Sequence, residues 1–268
     1  MKKTGPYVGV TGFMTLSELV QCDNAFCEAV NARKSVVVVE ELKFMAGILV
    51  SSKTLAGATN KWPNRYPPVG QVAEITSLKR RNILHTIHYN TDDAATIDEQ
   101  VDEVMKLAPG GTDAIQLNIR WANPVRLQRV KRKYPDLRII LQVGTGALSD
   151  VDETADIFTG EALRAYEGVI DDYLIDPSGG VGKDIDIWRA FACMADDDIP
   201  ASINPGVAGG RDATNVHHFK GLMRRLKRPV NIDAEGRLRT PKNDVDGGDH
   251  LHIDAAGVDL LADAMRWS

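Results

Sequence analysis

Residues 173–188 read YLIDPSGGVGKDIDIW, and the fold turns on how that stretch is parsed. A β-rich run over residues 169–175 delivers one carboxylate, Asp176, at its end; a glycine loop follows at once, and an amphipathic helix begins near Asp184. Strand, acid, glycine loop, helix is the order of a βα unit that presents a side chain at the C-terminal end of its strand. Without a Cβ, Gly179, Gly180 and Gly182 let backbone N–H groups turn toward an anion, and Lys183 adds positive charge beside the helix N-terminus. A plain βα turn uses glycine in the same way, so the weight of the reading comes from similar loops that follow.

Outward from that unit, short β-type runs alternate with helical segments. Strands are expected at residues 8–13, 44–51, 82–90, 113–119, 137–143, 169–175, 201–204 and 230–233, and helices at 15–32, 71–80, 92–107, 123–133, 151–166, from 184, at 213–226 and at 253–267. The first helix opens on Thr15-Leu16-Ser17-Glu18, a capping-box pattern. Residues 36–39 read equally as a strand or as the end of a helix. Eight strands, each followed by a helix with no break in composition, give one (β/α)8 TIM barrel spanning residues 1–268, with an open doubly wound sheet as the rival. Residues 53–69, with Trp62, Tyr66 and several prolines, are too long for a plain turn. They form either an active-site lid or a surface excursion packed by its own aromatics.

Side chains alternate across a strand, so one column faces the helices and the other the barrel axis. Val8, Val10, Ile83, Ile87, Ile115, Leu117, Ile119, Tyr173, Ile175, Val230 and Ile232 fit the helix-facing column. The axis-facing column then holds Thr11, Ser51, Thr86, His88, Asn90, Gln116, Asn118, Gln142, Asp176, Ser202, Asn204, Asn231 and Asp233. An interior built only for stability favours branched apolar residues. A column this polar, weighted toward the strands' C-terminal ends, points to a hydrogen-bonding pocket at the top of the barrel; the alternative is a polar network with no ligand.

The formal charge is −5 and no long basic tract proposes nucleic acid or an anionic membrane as partner. The N-terminus lacks the apolar region of a signal peptide, and no run approaches membrane-spanning length, so a soluble cytoplasmic protein is expected. Cys22, Cys27 and Cys193 make neither a disulfide framework nor a zinc pattern. His250 and His252 belong to a polar run read as a solvated loop rather than a metal site, and the basic cluster at 129–133 is read as a solvated face. No nicotinamide fingerprint is present; chemistry without cofactor or metal is expected.

Asp176 with GGVGKDIDIW resembles the acid, glycine loop and helix start of the phosphoribosylanthranilate isomerases, the TrpF-type barrels, where an aspartate precedes a GGTGKTFDW-like run. Residues 208–216, AGGRDATNV, are similar to that family's AGGLNPENV; Ile115-Gln116-Leu117-Asn118 stands where it has VQLH, and Val10-Thr11-Gly12 where it has ICG. The family's reaction is an Amadori rearrangement, in which the aspartate protonates the ribose ring oxygen and a cysteine removes the C2 proton. The resemblance implies Asp176 as general acid and a phosphate cradle at Gly180, Gly182, Lys183, Gly209 and Gly210. Strand eight, near the family's DVSSGVE, adds Asp233 and Gly236.

This chain departs from the family at two of those places: Thr11 replaces the cysteine base, and Asn118 the histidine. A threonine hydroxyl has no useful acidity near neutral pH. His88 is then the first candidate for the base, with Asp233 and Glu235 as further rim carboxylates. Thr11, Asn90, Gln116, Asn118, Gln142, Asn204 and Arg237 are the candidate substrate contacts. The expected function is an isomerase-like or ring-opening enzyme acting on a small phosphorylated sugar or phosphoribosyl conjugate. The alternatives are a carboxylate-pair enzyme cleaving a C–N glycosidic bond and a non-catalytic barrel that binds a phosphometabolite. Barrels of this kind often pair, so a homodimer stays possible.

Overall fold

Parallel hydrogen bonding closes the sheet on itself in sequence order, from its first strand to its last, which leaves none of these strands as an open edge. The computed structural model describes residues 5–32, 42–144, 147, 160–176, 187–195, 197–212, 214–215, 225–226 and 228–253. The strands are β1 Tyr7–Thr11, β2 Lys43–Ser51, β3 Ile83–Asn90, β4 Ala114–Asn118, β5 Arg138–Gly144, β6 Asp172–Asp176, β7 Asn204–Val207 and β8 Asn231–Ala234. Between them lie α1 Leu16–Ala32, α2 Ser52–Leu55, α3 Val72–Ile75, α4 Ile97–Lys106, α5 Pro124–Lys133, α6 Gly160–Arg164 and α7 Ile187–Met194. This is the (β/α)8 barrel, not the open sheet. Residues 36–39, most of the helices expected at 151–166, 213–226 and 253–267, and Gly180, Gly182 and Lys183 lie outside the described residues.

Local chemistry sets the helix starts. Thr15 and Glu18 form the reciprocal box: Glu18 N–H donates to Thr15 Oγ1 at 3.2 Å and Thr15 N–H to Glu18 Oε2 at 3.1 Å. Asn123 caps α5 by accepting from the N–H groups of Val125 and Arg126, with Pro124 pre-set at the first helical position. The basic run of α5 is not simply solvated. Arg126 and Arg129 reach Asp98 on α4, Lys133 reaches Asp102, and Lys131 reaches Asp171 below β6.

The two columns separate as the alternation requires. Val8, Val10, Ile83, Ile87, Ile115, Leu117, Ile119, Tyr173, Ile175, Val230 and Ile232 all join one buried layer between sheet and helices. Fully burying a side chain of this size contributes about 1.5–3 kcal/mol. A smaller apolar cluster fills the barrel's waist: Tyr7, Met45, Leu84, Ala114, Ile140, Leu174 and Ala208. Beneath it, Arg138 grips Asp172 with two hydrogen bonds of 2.5 and 2.6 Å, and Asn231 donates to the same carboxylate at 2.8 Å. Asn231, expected in the upper polar column, therefore belongs to the floor.

Strand seven begins where the sequence reading ended it. Residues 201–204 were expected, and β7 is Asn204–Val207. Pro205 explains the slip: proline reads as a strand breaker, but here it sits one residue into a four-residue strand, opposite Tyr173. The consequence is a correction to the site. Ser202 is exposed before the strand, and Asn204 is exposed at its N-terminal end, where its Nδ2 donates to Asp171 O at 3.1 Å. Asn204 thus lies at the end of the barrel opposite the other candidates and is not a substrate contact.

Candidate active site at the barrel mouth

Above the apolar waist, side chains from six strands join in one hydrogen-bonded chain. Thr11 Oγ1 of β1 donates to Asp233 Oδ1 of β8 at 2.7 Å. Gln116 Nε2 of β4 donates to Asp233 Oδ2 at 3.2 Å. The same amide nitrogen lies 3.1 Å from His88 Nε2 on β3, and His88 Nε2 lies 2.6 Å from Gln142 Oε1 on β5. Gln142 Nε2 then donates to Asp176 Oδ2 at the end of β6, at 2.7 Å. Thr11 and Gln116 are fully buried and line neither of the two cavities at the mouth, so they support the site from below. Gln116 Oε1 has no hydrogen-bond partner among the described residues, which leaves one acceptor of this chain unused.

The chain opens upward into a cavity of about 310 Å³. Its floor and near wall are His88, Asn90, Asn118, Gln142, Asp176 and Glu235; its far wall comes from the long loop after β2, with Lys53, Asn60, Lys61, Trp62 and Tyr66. The loop expected as lid or surface excursion is therefore a wall of the site. Burial pushes the Tyr66 hydroxyl up to about 12, helped by the Glu235 charge, so it stays a neutral donor. A second void of about 20 Å³, room for about one water, is bounded by His88, Asp176, Asp233, Glu235, Gly209, Gly210 and Gly236. Two of the three expected glycine loops thus converge on the candidate acids.

The carboxylates meet different partners. Burial raises the Asp233 carboxyl above its usual range, against the opposing pull of the His88 charge and the Thr11 and Gln116 hydrogen bonds. Glu235 accepts from Arg65 Nη1 at 2.7 Å, while Arg65 Nε and Nη2 hold both oxygens of Asp249 at 2.7 Å. Arg65 thereby straps the loop after β2 to the chain after β8. Asn64 Nδ2 adds a bond to Gly248 O at 2.7 Å, and Arg239 Nη2 donates to Thr11 O and Gly12 O at 3.0 and 2.9 Å. Gly12 has φ +100, and a Cβ there would lie 1.6 Å from Arg239 Nη2, so only glycine fits beneath this guanidinium.

Other candidates are placed less centrally. Arg237 lies at the rim with Nη1 3.3 Å from Asp212 Oδ2, and Asp212 offsets part of its charge. Gly209 and Gly210 adopt φ of 91 and 60, with their carbonyls taken by Arg211 Nε and Asn215 Nδ2. Sequence reasoning missed Arg65, Asp249 and Arg211, whose partners are distant in sequence or backbone carbonyls; Arg239, which it read with Arg237 as a partner for the rim carboxylates or a phosphate, instead donates to backbone carbonyls. Among the described residues, no group of three His, Cys, Asp or Glu side chains is placed to hold a metal ion, and no helix is long and apolar enough to cross a membrane.

Taken together, these features define a parallel (β/α)8 barrel with a polar, carboxylate-bearing mouth. No protein-family model matches the chain, and no curated protein sequence matches it. Among solved structures it is similar to the phosphoribosyl anthranilate isomerase from Thermus thermophilus, at 13% identity over 98% of this chain and 100% of that one, with a TM-score of 0.61. The isomerase from Thermotoga maritima gives 12% identity, the same coverage of 98% and 100%, and a TM-score of 0.61. A fungal endo-β-N-acetylglucosaminidase of glycosyl hydrolase family 18 gives 12% identity over 97% and 98% of the two chains, with a TM-score of 0.57. The likeness is one of fold: the chain has a divergent TrpF-like barrel over nearly its whole length, and fold alone does not carry an activity.

Proposed function

We propose that the barrel is an enzyme that acts on a phosphorylated sugar or phosphoribosyl conjugate by acid and base chemistry at its C-terminal mouth. The observation that carries this reading is the continuous chain from Thr11 to Asp176 beneath a 310 Å³ cavity, in a layer that stability alone would fill with branched apolar residues. Asp176 delivers a proton to the ring oxygen as its C–O bond opens, and His88 takes the proton from the neighbouring carbon. Gly209, Gly210 and Gly236, the proposed phosphate cradle, lie beside these groups around a void with room for about one water, so a phosphate held there requires that void to widen. The shared barrel of the phosphoribosyl anthranilate isomerases supports the sugar phosphate class without fixing the reaction.

A thermal-shift screen of phosphosugars, phosphoribosyl conjugates and nucleotides tests it, with wild type beside Asp176→Asn. Ligand binding raises the apparent melting temperature, and turnover of a hit by wild type but not by Asp176→Asn establishes the enzyme and its acid. Binding by both without turnover makes the barrel a sensor. No phosphate-bearing hit removes the sugar phosphate reading.

A second reading is cleavage of a C–N glycosidic bond. Its specific support is that Asp233 and Glu235 sit in different surroundings, the first buried with its carboxyl raised and the second accepting from Arg65, and two carboxyls in unlike surroundings can take acid and base roles. Release of free base from a nucleoside or phosphoribosyl hit, in place of an isomerised product, selects it.

A further inference from the structure

The amide of Gln142 bridges the two groups assigned as acid and base. Its Nε2 faces Asp176 Oδ2 at 2.7 Å and its Oε1 faces His88 Nε2 at 2.6 Å. While Asp176 is a carboxylate it can only accept, so the amide nitrogen must point toward it and the amide oxygen toward the imidazole. An amide oxygen is likewise only an acceptor, so His88 Nε2 must carry a proton, and in the neutral ring Nδ1 then holds the lone pair. Gln116 competes for the same ring nitrogen: its Nε2 lies 3.1 Å from His88 Nε2, 3.5 Å from Nδ1 and 3.4 Å from Gln142 Oε1. With Gln142 present, the second Gln116 N–H is directed to Gln142 Oε1. With that oxygen removed, it turns to the His88 Nε2 lone pair and drives the proton to Nδ1.

We propose that Gln142 is a positioning residue which, by spanning Asp176 and His88, sets the imidazole tautomer and so decides which ring nitrogen can accept a proton from substrate. This deepens the reading of His88 as base and rests on it. The bridge also couples the two groups. Once Asp176 carries a proton it can donate to the Gln142 oxygen, and a half-turn of the amide then presents N–H to His88 Nε2 and reverses the tautomer. A general acid that is loaded and one that is spent therefore hold the base in opposite forms, a link that substrate contact by Gln142 alone does not require.

The test reads the tautomer directly, in the whole chain and without substrate. Long-range 1H–15N spectra at about pH 9, above the usual imidazole range, distinguish a protonated from an unprotonated ring nitrogen, and His88→Asn assigns the signals. Wild type is expected to show the Nε2–H form in about tenfold or greater excess, the scale one hydrogen bond supports. Gln142→Met, of similar length but with no acceptor, is expected to move the majority to Nδ1–H. Gln142→Glu, which keeps an acceptor, is expected to restore Nε2–H.

Should Gln142→Met fail to fold, Gln116→Met serves in its place: it removes the competing donor and is expected to leave Nε2–H intact. An Nδ1–H ring in wild type or in Gln116→Met, or an unchanged ring in folded Gln142→Met, overturns the proposal. The ligand screen is independent of these spectra, so loss of the sugar phosphate reading and loss of the tautomer control are separate outcomes.

Discussion

Asp233 shows what a single buried carboxyl does to the pH response of the barrel. Its side chain accepts from Thr11 and Gln116, and burial raises its folded-state value above that of an unfolded chain. A raised carboxyl favours the native state in its protonated form. That stabilisation is complete below the unfolded value, near pH 4, and is lost as pH rises through the folded value, with a slope of at most about 1.4 kcal/mol per pH unit. Asp233→Asn removes the ionisation and keeps the shape, with Oδ1 toward Gln116 and Nδ2 toward the Thr11 hydroxyl. Urea unfolding of both proteins from pH 4 to pH 8 is expected to show the variant gaining on wild type as pH rises; a constant gap rules out this linkage.

The upper network of single residues was legible because strand alternation places Thr11, His88, Gln116, Gln142, Asp176 and Asp233 on one column. Arg65 and Asp249 were not legible. They meet across 184 residues of chain, and nothing in the local pattern of either announces the other.

At the scale of elements, the same difference separates strands from loops. The capping box of α1 and the alternating strands are written in contiguous residues, so their positions follow from period and propensity. The β7 boundary failed because Pro205 carries the wrong local signal and tertiary pairing overrides it. The wall built from residues 60–66 was visible as an aromatic, proline-rich loop, but its orientation depends on Arg65. That guanidinium stacks 4.8 Å from the Trp62 ring while binding Asp249 and Glu235.

Removing the strap leaves two largely buried carboxylates unpaired, and Arg65→Ala is expected to cost about 3 kcal/mol. Arg65→Lys is expected to recover little, because an ammonium cannot make the paired bonds to Asp249. Hydrogen exchange gives the local signature. Protection should fall at Arg65, Asp249 and His252, whose amides bond Trp62, Thr240 and Leu238, while the strands of the barrel keep theirs. Uniform loss across the barrel would show that Arg65 supports the core rather than the loops.

On the scale of the whole molecule, the interior is layered: a charged floor, an apolar waist and a polar mouth. The floor and the mouth are both polar, yet they answer to different demands, since function in barrels of this type gathers at the C-terminal face and stability at the other. Arg138 and Asp172 are almost fully buried and paired, with Arg138 also donating to Gly5 O at 2.7 Å and lying 5.2 Å from the Tyr7 ring. Arg138→Met abandons the Asp172 charge in that floor and is expected to cost about 3–5 kcal/mol. Asp172→Asn added to it removes the stranded charge while keeping an acceptor for Asn231, and most of the loss should return.

The waist of Met45, Leu84, Ala114, Ile140 and Leu174 insulates the mouth from this change. Affinity for any ligand found in the screen should therefore stay within about twofold in the double variant, a difference near the 0.4 kcal/mol limit of additivity for separate sites. Gln142→Met should do the opposite, altering the chemistry at the mouth with a smaller effect on unfolding. A fall in ligand affinity that tracks the loss of stability in Arg138→Met and persists in the double variant would mean that floor and mouth are one cooperative unit, and that the layering does not divide their roles.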